Sequence, residues 1–270
     1  VKLASAKRGK VMQDGSALVT ALYRYPVKGL TAQRLDRVAL TAGEAIPFDR
    51  AWAIENGPGR FDPEAPKHLP KVAFLMLMRD ERLATLSAEF DEETTTLTLR
   101  RDGKQVARGN LSTRIGCQMI EQFIAAYMKD SLRGPPKIVS APGHSFSDVA
   151  TKCLHIVNLA SVRDLERAAG RAIDPMRFRP NVVFDSDTPW VELNWVGKTL
   201  GIGTAQLEVI DRTQRCAATN VDPATATRDM AIPAILERTR GHSDFGIYAR
   251  ITEPGDIAVA DEVVANVEAE

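Results

Sequence analysis

The chain has 270 residues, 35 Lys+Arg against 35 Asp+Glu, and 44% hydrophobic and 26% charged residues. That is the composition of an ordinary globular protein, long enough for one large core or two domains. Zero formal net charge argues against a general nucleic-acid binder, and no apolar run approaches the ~18 residues that span a bilayer, so neither nucleic acid nor membrane is expected as a partner.

At the N-terminus, Lys2, Lys7, Arg8 and Lys10 are followed by Asp14 and Gly15 rather than an apolar segment. Residues 1–16 therefore read as a flexible tail and not a signal peptide. A β-rich run over 17–25 stops at Pro26. Short strands are expected over 38–40, 51–54 and 72–78, between loops such as Gly57-Pro58-Gly59. Leu97 and Leu99 alternate with Thr96, Thr98 and Arg100, the period-2 pattern of a half-buried strand. Asp102-Gly103 then supplies a hairpin turn, and 105–108 returns. Composition changes near residue 112, which divides the chain into an N-terminal β-rich domain (17–112) and a second domain (113–270).

Met119, Ile120, Phe123, Ile124 and Tyr127 fall on one helical face and predict a helix over 117–128. A Pro/Gly stretch follows, and His144-Ser145-Phe146-Ser147-Asp148 leads into a buried strand over 153–157. Ser161 reads as a helix N-cap, with Asp164 three residues on and Gly170 closing the helix. Strands over 181–184 and 204–210, a helix over 231–240 and a last strand over 245–252 complete the chain. Strands broken by a few helices, without regular βαβ alternation, predict an α+β, mainly β fold with a barrel-like arrangement. The glycine fingerprints of nucleotide folds are absent.

Three cysteines at wide spacing give neither a disulfide framework nor a CxxC knuckle, so a reducing, cytoplasmic compartment is expected. Cys117 at a helix start and Cys153 in a buried strand read as inert. Cys216 differs: it lies in a polar loop (Thr213, Gln214, Thr219, Asn220) beside Arg215, and an adjacent guanidinium favours the thiolate that attacks electrophiles and binds metals. Lys28 follows a strand-ending proline, Arg50 opens a strand, and Arg177 and Arg179 precede Pro180-Asn181. Each alone reads as surface charge. Together they suit an anion pocket, since guanidinium forks match phosphate and carboxylate. Ser161 could present free N–H groups to an anion, or be a plain cap. His155, inside an apolar strand, reads as a satisfied core residue, and the other histidines lack partners at metal-ligand spacing.

In order, Tyr25-Pro26-Val27-Lys28, Asp49-Arg50-Ala51-Trp52, Phe146-Ser147-Asp148, Phe178-Arg179-Pro180-Asn181, Arg215-Cys216 with Val221-Asp222-Pro223, and Gly246-Ile247-Tyr248 resemble the MOSC family with its N-terminal β-barrel domain. The likeness is of the kind seen in the mitochondrial amidoxime-reducing component and bacterial relatives, and it spans roughly residues 17 to 265. It implies a molybdenum–molybdopterin cofactor whose metal takes Cys216 as its protein ligand. Lys28, Arg50, Arg179 and Asn181, with Arg215 beside the cysteine, match positions that contact the pterin and its phosphate. Asp148, Ser161 and Tyr248 match or neighbour the lining. Asp222 is either a proton donor or substrate contact, or the anchor of an Asx-Pro turn.

The implied activity is removal of oxygen from an N-hydroxylated or N-oxide small molecule. No cysteine follows Cys216, so an iron–sulfur extension is not expected, and electrons are expected from a separate ferredoxin-like or reductase protein. Two alternatives stay open: a non-catalytic cofactor carrier or sulfur-handling module using Cys216, and a metal-free redox thiol. Gly29 stands where serine is frequent in the family, and Ala226 where a glycine commonly follows Asp-Pro-x-Thr.

Overall fold

The computed structural model describes residues 17–57 and 59–266; the tail expected over 1–16 and Pro58 of the predicted loop lie outside them. The strands are β1 (Leu18–Arg24), β2 (Gln33–Leu35), β3 (Arg37–Leu40), β4 (Ala53–Glu55), β5 (Ser87–Asp91), β6 (Thr96–Arg101), β7 (Lys104–Asn110), β8 (Lys137–Val139), β9 (Leu154–Asn158), β10 (Val182–Asp185), β11 (Thr199–Ile202), β12 (Ala205–Gln214), β13 (Asp244–Glu253), β14 (Gly255–Ala258) and β15 (Val263–Asn266). The helices are α1 (Arg114–Tyr127), α2 (Leu159–Ala169) and α3 (Ile232–Arg240). The fold is α+β and mainly β, as the pattern predicted. Among the described residues, no helix is long and apolar enough to cross a membrane.

Eight strands form one sheet in the order β15-β11-β12-β13-β9-β10-β1-β2. It curls back on itself: Val19 N–H donates to Asp261 C=O (2.9 Å), Ala260 N–H to Val19 C=O (2.8 Å) and Val263 N–H to Ala17 C=O (2.8 Å). These bonds tie β1 to the approach of β15 and satisfy edge groups that would otherwise be free to pair. Alternating inward residues, among them Val19, Ile156, Phe184, Leu207, Val209, Ile247 and Ile251, fill the interior. The pair β9–β10 is parallel and is connected through α2. Phe178 stacks on Phe245 at 3.9 Å beside α2 and α3.

A second core lies under the antiparallel sheet β5-β6-β7, on which α1 packs through Ile120 and Ile124. Thr113 caps α1 by accepting the Gly116 N–H (3.1 Å), so the helix begins before the predicted residue 117. The split expected near residue 112 falls between β7 and α1, which pack in one core, whereas β1 and β3 pair with β10 and β14 from the far half of the chain.

Two expectations are corrected. The apolar run 72–78 is no strand: Lys71–Ala73 is a 3-10 turn, Phe74 makes one bridge to Glu55, and Arg79 N–H turns back to Met76 C=O (3.1 Å). Its apolar residues reflect burial in two neighbouring cores, Leu75 in one and Phe74 in the other, rather than a ladder. Nor is Ser161 a cap. Asn158 caps α2 by accepting the Ala160 N–H (3.0 Å), and Ser161 lies one turn inside; Gly170 closes the helix with φ 70° as expected.

Helix α1 crosses β7 where neither backbone has a side chain. A Cβ on Gly116 would lie 2.1 Å from Asn110 O, and one on Gly109 would lie 2.0 Å from Gly116 O. Ala normally favours a helix over Gly by about 1 kcal/mol. Here the clash outweighs that gain, and Gly116→Ala is expected to destabilise by about 1–3 kcal/mol in urea unfolding. A variant as stable as the parent would mean that α1 can lift from β7 freely.

Candidate functional site

One cleft collects residues from six separated segments: Lys28 after β1, Arg50 before β4, Asp148 and Cys153 before β9, His155 on β9, Arg177, Arg179 and Asn181 before β10, Arg215 and Cys216 after β12, and Tyr248 on β13. Met76, Leu77 and Met78 form a facing wall. The cleft is open: its enclosed space measures about 110 Å³, and about 830 Å³ is empty when the mouth is counted. Cys216 is half-buried in this cleft, at the start of the 3-10 turn Ala217–Asn220. Among the described residues, no three His, Cys, Asp or Glu side chains converge as a metal cage.

The backbone is bent to bring the cations in. Arg50 (φ 51°) and Arg179 (φ 55°) both hold left-handed conformations. Those cost a non-glycine residue roughly 1–2 kcal/mol each, and strain of this kind concentrates at binding sites. Both guanidiniums lie on the Tyr25 ring, 4.5 Å and 4.2 Å from its centroid. Tyr25 is fixed by its hydroxyl, which donates to Pro180 C=O (3.1 Å), and by its N–H, which donates to the buried Asp49 carboxylate (2.8 Å). Asp49 also accepts from Arg50 Nη1 (2.5 Å).

Negative charge is scarce around these groups. Lys28 is paired with Asp148 (2.5 Å) and donates to Phe146 C=O (2.8 Å), yet burial still lowers its ammonium below the usual lysine range. Arg179 makes no ion pair among the described residues, and burial pulls it down to about 10. Arg215 is likewise lowered by burial; its Nη2 donates to Phe178 C=O (2.8 Å), while its buried Nε has no acceptor. Only Arg50, beside Asp49, is held up against its burial. An anion entering the cleft would meet donors already in place and would relieve this repulsion.

Two residues work by holding others. The Asn181 side-chain oxygen accepts from Arg50 Nη1 (3.2 Å) and the His155 N–H (3.1 Å), and its amide donates to Tyr23 C=O (3.1 Å). Its hydrogen-bonding capacity thus goes to tying β1, β9 and Arg50 together. His155, read from sequence as a core residue, is buried and also lines the cleft. Burial and the Arg215 charge keep it neutral well below the usual histidine range. Arg215 Nη1 lies 3.3 Å from Nε2 and Arg179 C=O 3.4 Å from Nδ1, the pattern of a ring protonated at Nδ1 that accepts from the arginine. Gly246 (φ 77°) permits that approach, since a Cβ there would lie 2.7 Å from His155 Nε2.

Of the predicted residues, Lys28, Arg50, Asp148, Arg179, Asn181, Arg215, Cys216 and Tyr248 meet in the cleft. Ser161 and Asp222 do not line it. The Ser161 hydroxyl is buried in α2, donating to Glu192 (2.7 Å) and accepting the Trp190 N–H (2.7 Å). Asp222 accepts from Ala224 N–H (2.7 Å), Thr225 N–H (3.1 Å) and Arg177 Nη2 (2.8 Å), so the Asx turn is the reading that holds. Cys153 belongs to the lining, but burial pushes its thiol up to about 12, in keeping with inertness. Arg177, already grouped with the candidate anion-pocket cations, lines the cleft as well; His155 is the lining residue that sequence reasoning missed. The available signal was a polar side chain inside a fully apolar strand, which must find partners.

Comparison with known proteins identifies the family of the chain. The family model described as MOSC domain matches residues 142–264, and the one described as MOSC N-terminal beta barrel domain matches 16–132. The mitochondrial amidoxime-reducing component 1 of Homo sapiens is 24% identical, covering 95% of this chain and 85% of that protein, and that of Mus musculus is 22% identical. A molybdenum cofactor sulfurase of Danio rerio is 24% identical over 90% of this chain, which spans only 33% of the sulfurase. Among solved structures, the YuaD protein of Bacillus subtilis aligns over 96% of this chain and 98% of its own with a TM-score of 0.44 and 13% identity.

The Lys28–Asp148 pair gives a pH-dependent handle. Partial burial would raise the Asp148 carboxyl, but Lys28, with Lys71 and Arg50, brings it down to about 2. A carboxyl lowered by folding contributes stability above its unfolded value, and that contribution is lost as pH falls from about 4 to about 2. Asp148→Asn is therefore expected to flatten the loss of urea stability between those pH values relative to the parent. Parallel pH profiles for the two proteins would show that the pair is not coupled to folding.

Proposed function

Because the chain belongs to the MOSC family with its N-terminal β-barrel domain, we propose that it is an oxidoreductase that binds a molybdenum–molybdopterin cofactor beside Cys216. Its substrates would be N-hydroxylated or N-oxide small molecules. The observation that carries the reading is the union, in one cleft, of a half-buried thiol with cations short of counter-charge. The residues fit such a guest. Arg179 without an ion pair and the orphaned Nε of Arg215 are donors for a phosphate, and a thiolate suits a sulfur-ligated metal.

When bound, the cofactor would supply two-electron oxygen-atom chemistry. Lys28, Arg179 and Arg215 would hold its anionic group, Arg50 and Asn181 would keep those cations in register, and Cys216 would ligate the metal. Tyr248, whose hydroxyl is kept protonated by burial, lines the cleft and would be a group able to hold a proton there. Overall, R–NH–OH, two electrons and two protons give R–NH₂ and water, with the electrons delivered by a separate ferredoxin-like or reductase protein. The match to cofactor sulfurases favours a second reading, a non-catalytic carrier of the cofactor or a sulfur-handling module using Cys216.

Protein made in a cofactor-competent host is expected to contain stoichiometric molybdenum and pterin. Cys216→Ala should lose the metal, and Arg179→Ala should lose pterin on gel filtration while its melting temperature stays near that of the parent. Molybdenum content unchanged in Cys216→Ala would overturn the proposal. Turnover of an amidoxime with a chemical reductant separates the enzyme from the carrier.

A further inference from the structure

We infer that Arg228 is a positioning residue that pins the Leu77–Met78 wall of the cleft to the Cys216 loop. Its Nη2 donates to Leu77 C=O (3.0 Å) and Met78 C=O (2.8 Å), and its Nη1 to Ala217 C=O (3.0 Å), the residue after the cysteine. Glu81 accepts from Nη2 (3.0 Å) and Nε (3.3 Å). One guanidinium thus joins two segments more than 135 residues apart in sequence, since Arg228 and Ala217 lie far along the chain from Leu77, Met78 and Glu81. The carbonyls of Leu77 and Met78 accept no backbone N–H among the described residues, so Arg228 supplies the hydrogen bonds of these two carbonyls, whereas Met76 C=O beside them accepts from the Arg79 N–H (3.1 Å) and the Asp80 N–H (2.9 Å).

The loop after Cys216 is built to deliver the arginine. Val221 bridges Arg228, Asp222 N–H donates to Thr227 C=O (2.8 Å), and Ala226 N–H donates to Asp222 C=O (2.8 Å). The Asp222 carboxylate ties down the turn between them, and Ala226 adopts φ 55°, the conformation a glycine would take without strain. An exposed ion pair with Glu81 alone would be worth little and would need no such scaffold. The five donors of a planar guanidinium serve three separated backbone carbonyls and the Glu81 carboxylate at once; an ammonium has three donors on one nitrogen.

The geometry is independent of what occupies the cleft; the consequence for cofactor retention rests on the function proposed above. The test is alkylation of Cys216 by iodoacetamide in cofactor-free full-length protein, with the modified residue identified by peptide mass mapping. Loss of charge-assisted bonds to the wall should let it open locally, so Arg228→Ala is expected to be alkylated about tenfold faster than the parent. Arg228→Lys should fall between the two, and amide exchange should quicken at Leu77, Met78 and Arg79. Arg163→Ala, which removes a surface arginine paired with Asp185, is the control and should leave the rate unchanged. Should Arg228→Ala prove unstable, Arg228→Lys carries the comparison at its own melting temperature. Alkylation and exchange rates equal to those of the control would overturn the inference, whereas absence of molybdenum from every preparation would overturn the proposed function and leave this result standing.

Discussion

Mutual repulsion among Lys28, Arg50, Arg179 and Arg215 is the constraint around which the site is arranged. Four cations in one partly desolvated cleft repel each other strongly at low effective dielectric. Asp49 and Asp148 supply the counter-charge, and Asp148 is itself half-exposed. The cations stay together because each is tethered by something other than an opposite charge. The Tyr25 ring carries two of them, the Phe178 carbonyl and the His155 ring hold Arg215, and the Phe146 carbonyl holds Lys28. The outcome is a set of donors preorganised for an anion, with the unfavourable electrostatics absorbed by the stability of the barrel.

That barrel is why the tethers can be rigid. Asn181 sits where β1 and β9 flank the start of β10, and its backbone N–H donates to His155 C=O (2.7 Å) while its own carbonyl accepts from Tyr23 (2.8 Å). With its side chain also committed, it converts strand register into the position of Arg50 and His155. Glycines supply room where backbones or rings must touch. Gly246 lets His155 reach Arg215, and Gly29 (φ 86°) turns the chain after Lys28 where a Cβ would lie 3.0 Å from Leu75 O. The glycine that stands where serine is frequent in the family is therefore demanded by this backbone.

The opposite wall is held differently. It is an apolar turn with few backbone bonds of its own, joined to the cysteine loop through a single exposed guanidinium. A cleft with one wall fixed in the barrel and one wall clamped from outside has an obvious place to open, and the clamp belongs to the same loop as the sulfur. Asp222 contributes to this arrangement by shaping the loop and by pairing with the buried Arg177.

Much was legible in the residues themselves. Alternation at Leu97 and Leu99 with Asp102-Gly103 gave the hairpin β6–β7, the apolar face from Met119 to Tyr127 gave α1, and a cysteine beside an arginine in a polar loop marked one lining segment of the cleft. These signals are local: period, turn chemistry and neighbouring charge. What sequence could not decide was whatever depends on contacts between distant segments. The run 72–78 looked like a strand because burial and strand propensity produce the same apolar letters, Ser161 looked like a cap because Asn158 could not be weighed against it, and Asp222 stayed open between a proton donor and an Asx turn until the turn bonds and Arg177 were found beside it. That Lys28, Arg50 and Arg179 could form an anion pocket was an option their chemistry raised, but that they share one cavity with Arg215 and Cys216 was expected from the family likeness, because no spacing along a chain encodes a meeting of six segments. Pairing of β12, β13, β9, β10 and β1 side by side, with the segment before β4 packed against them, brings them together.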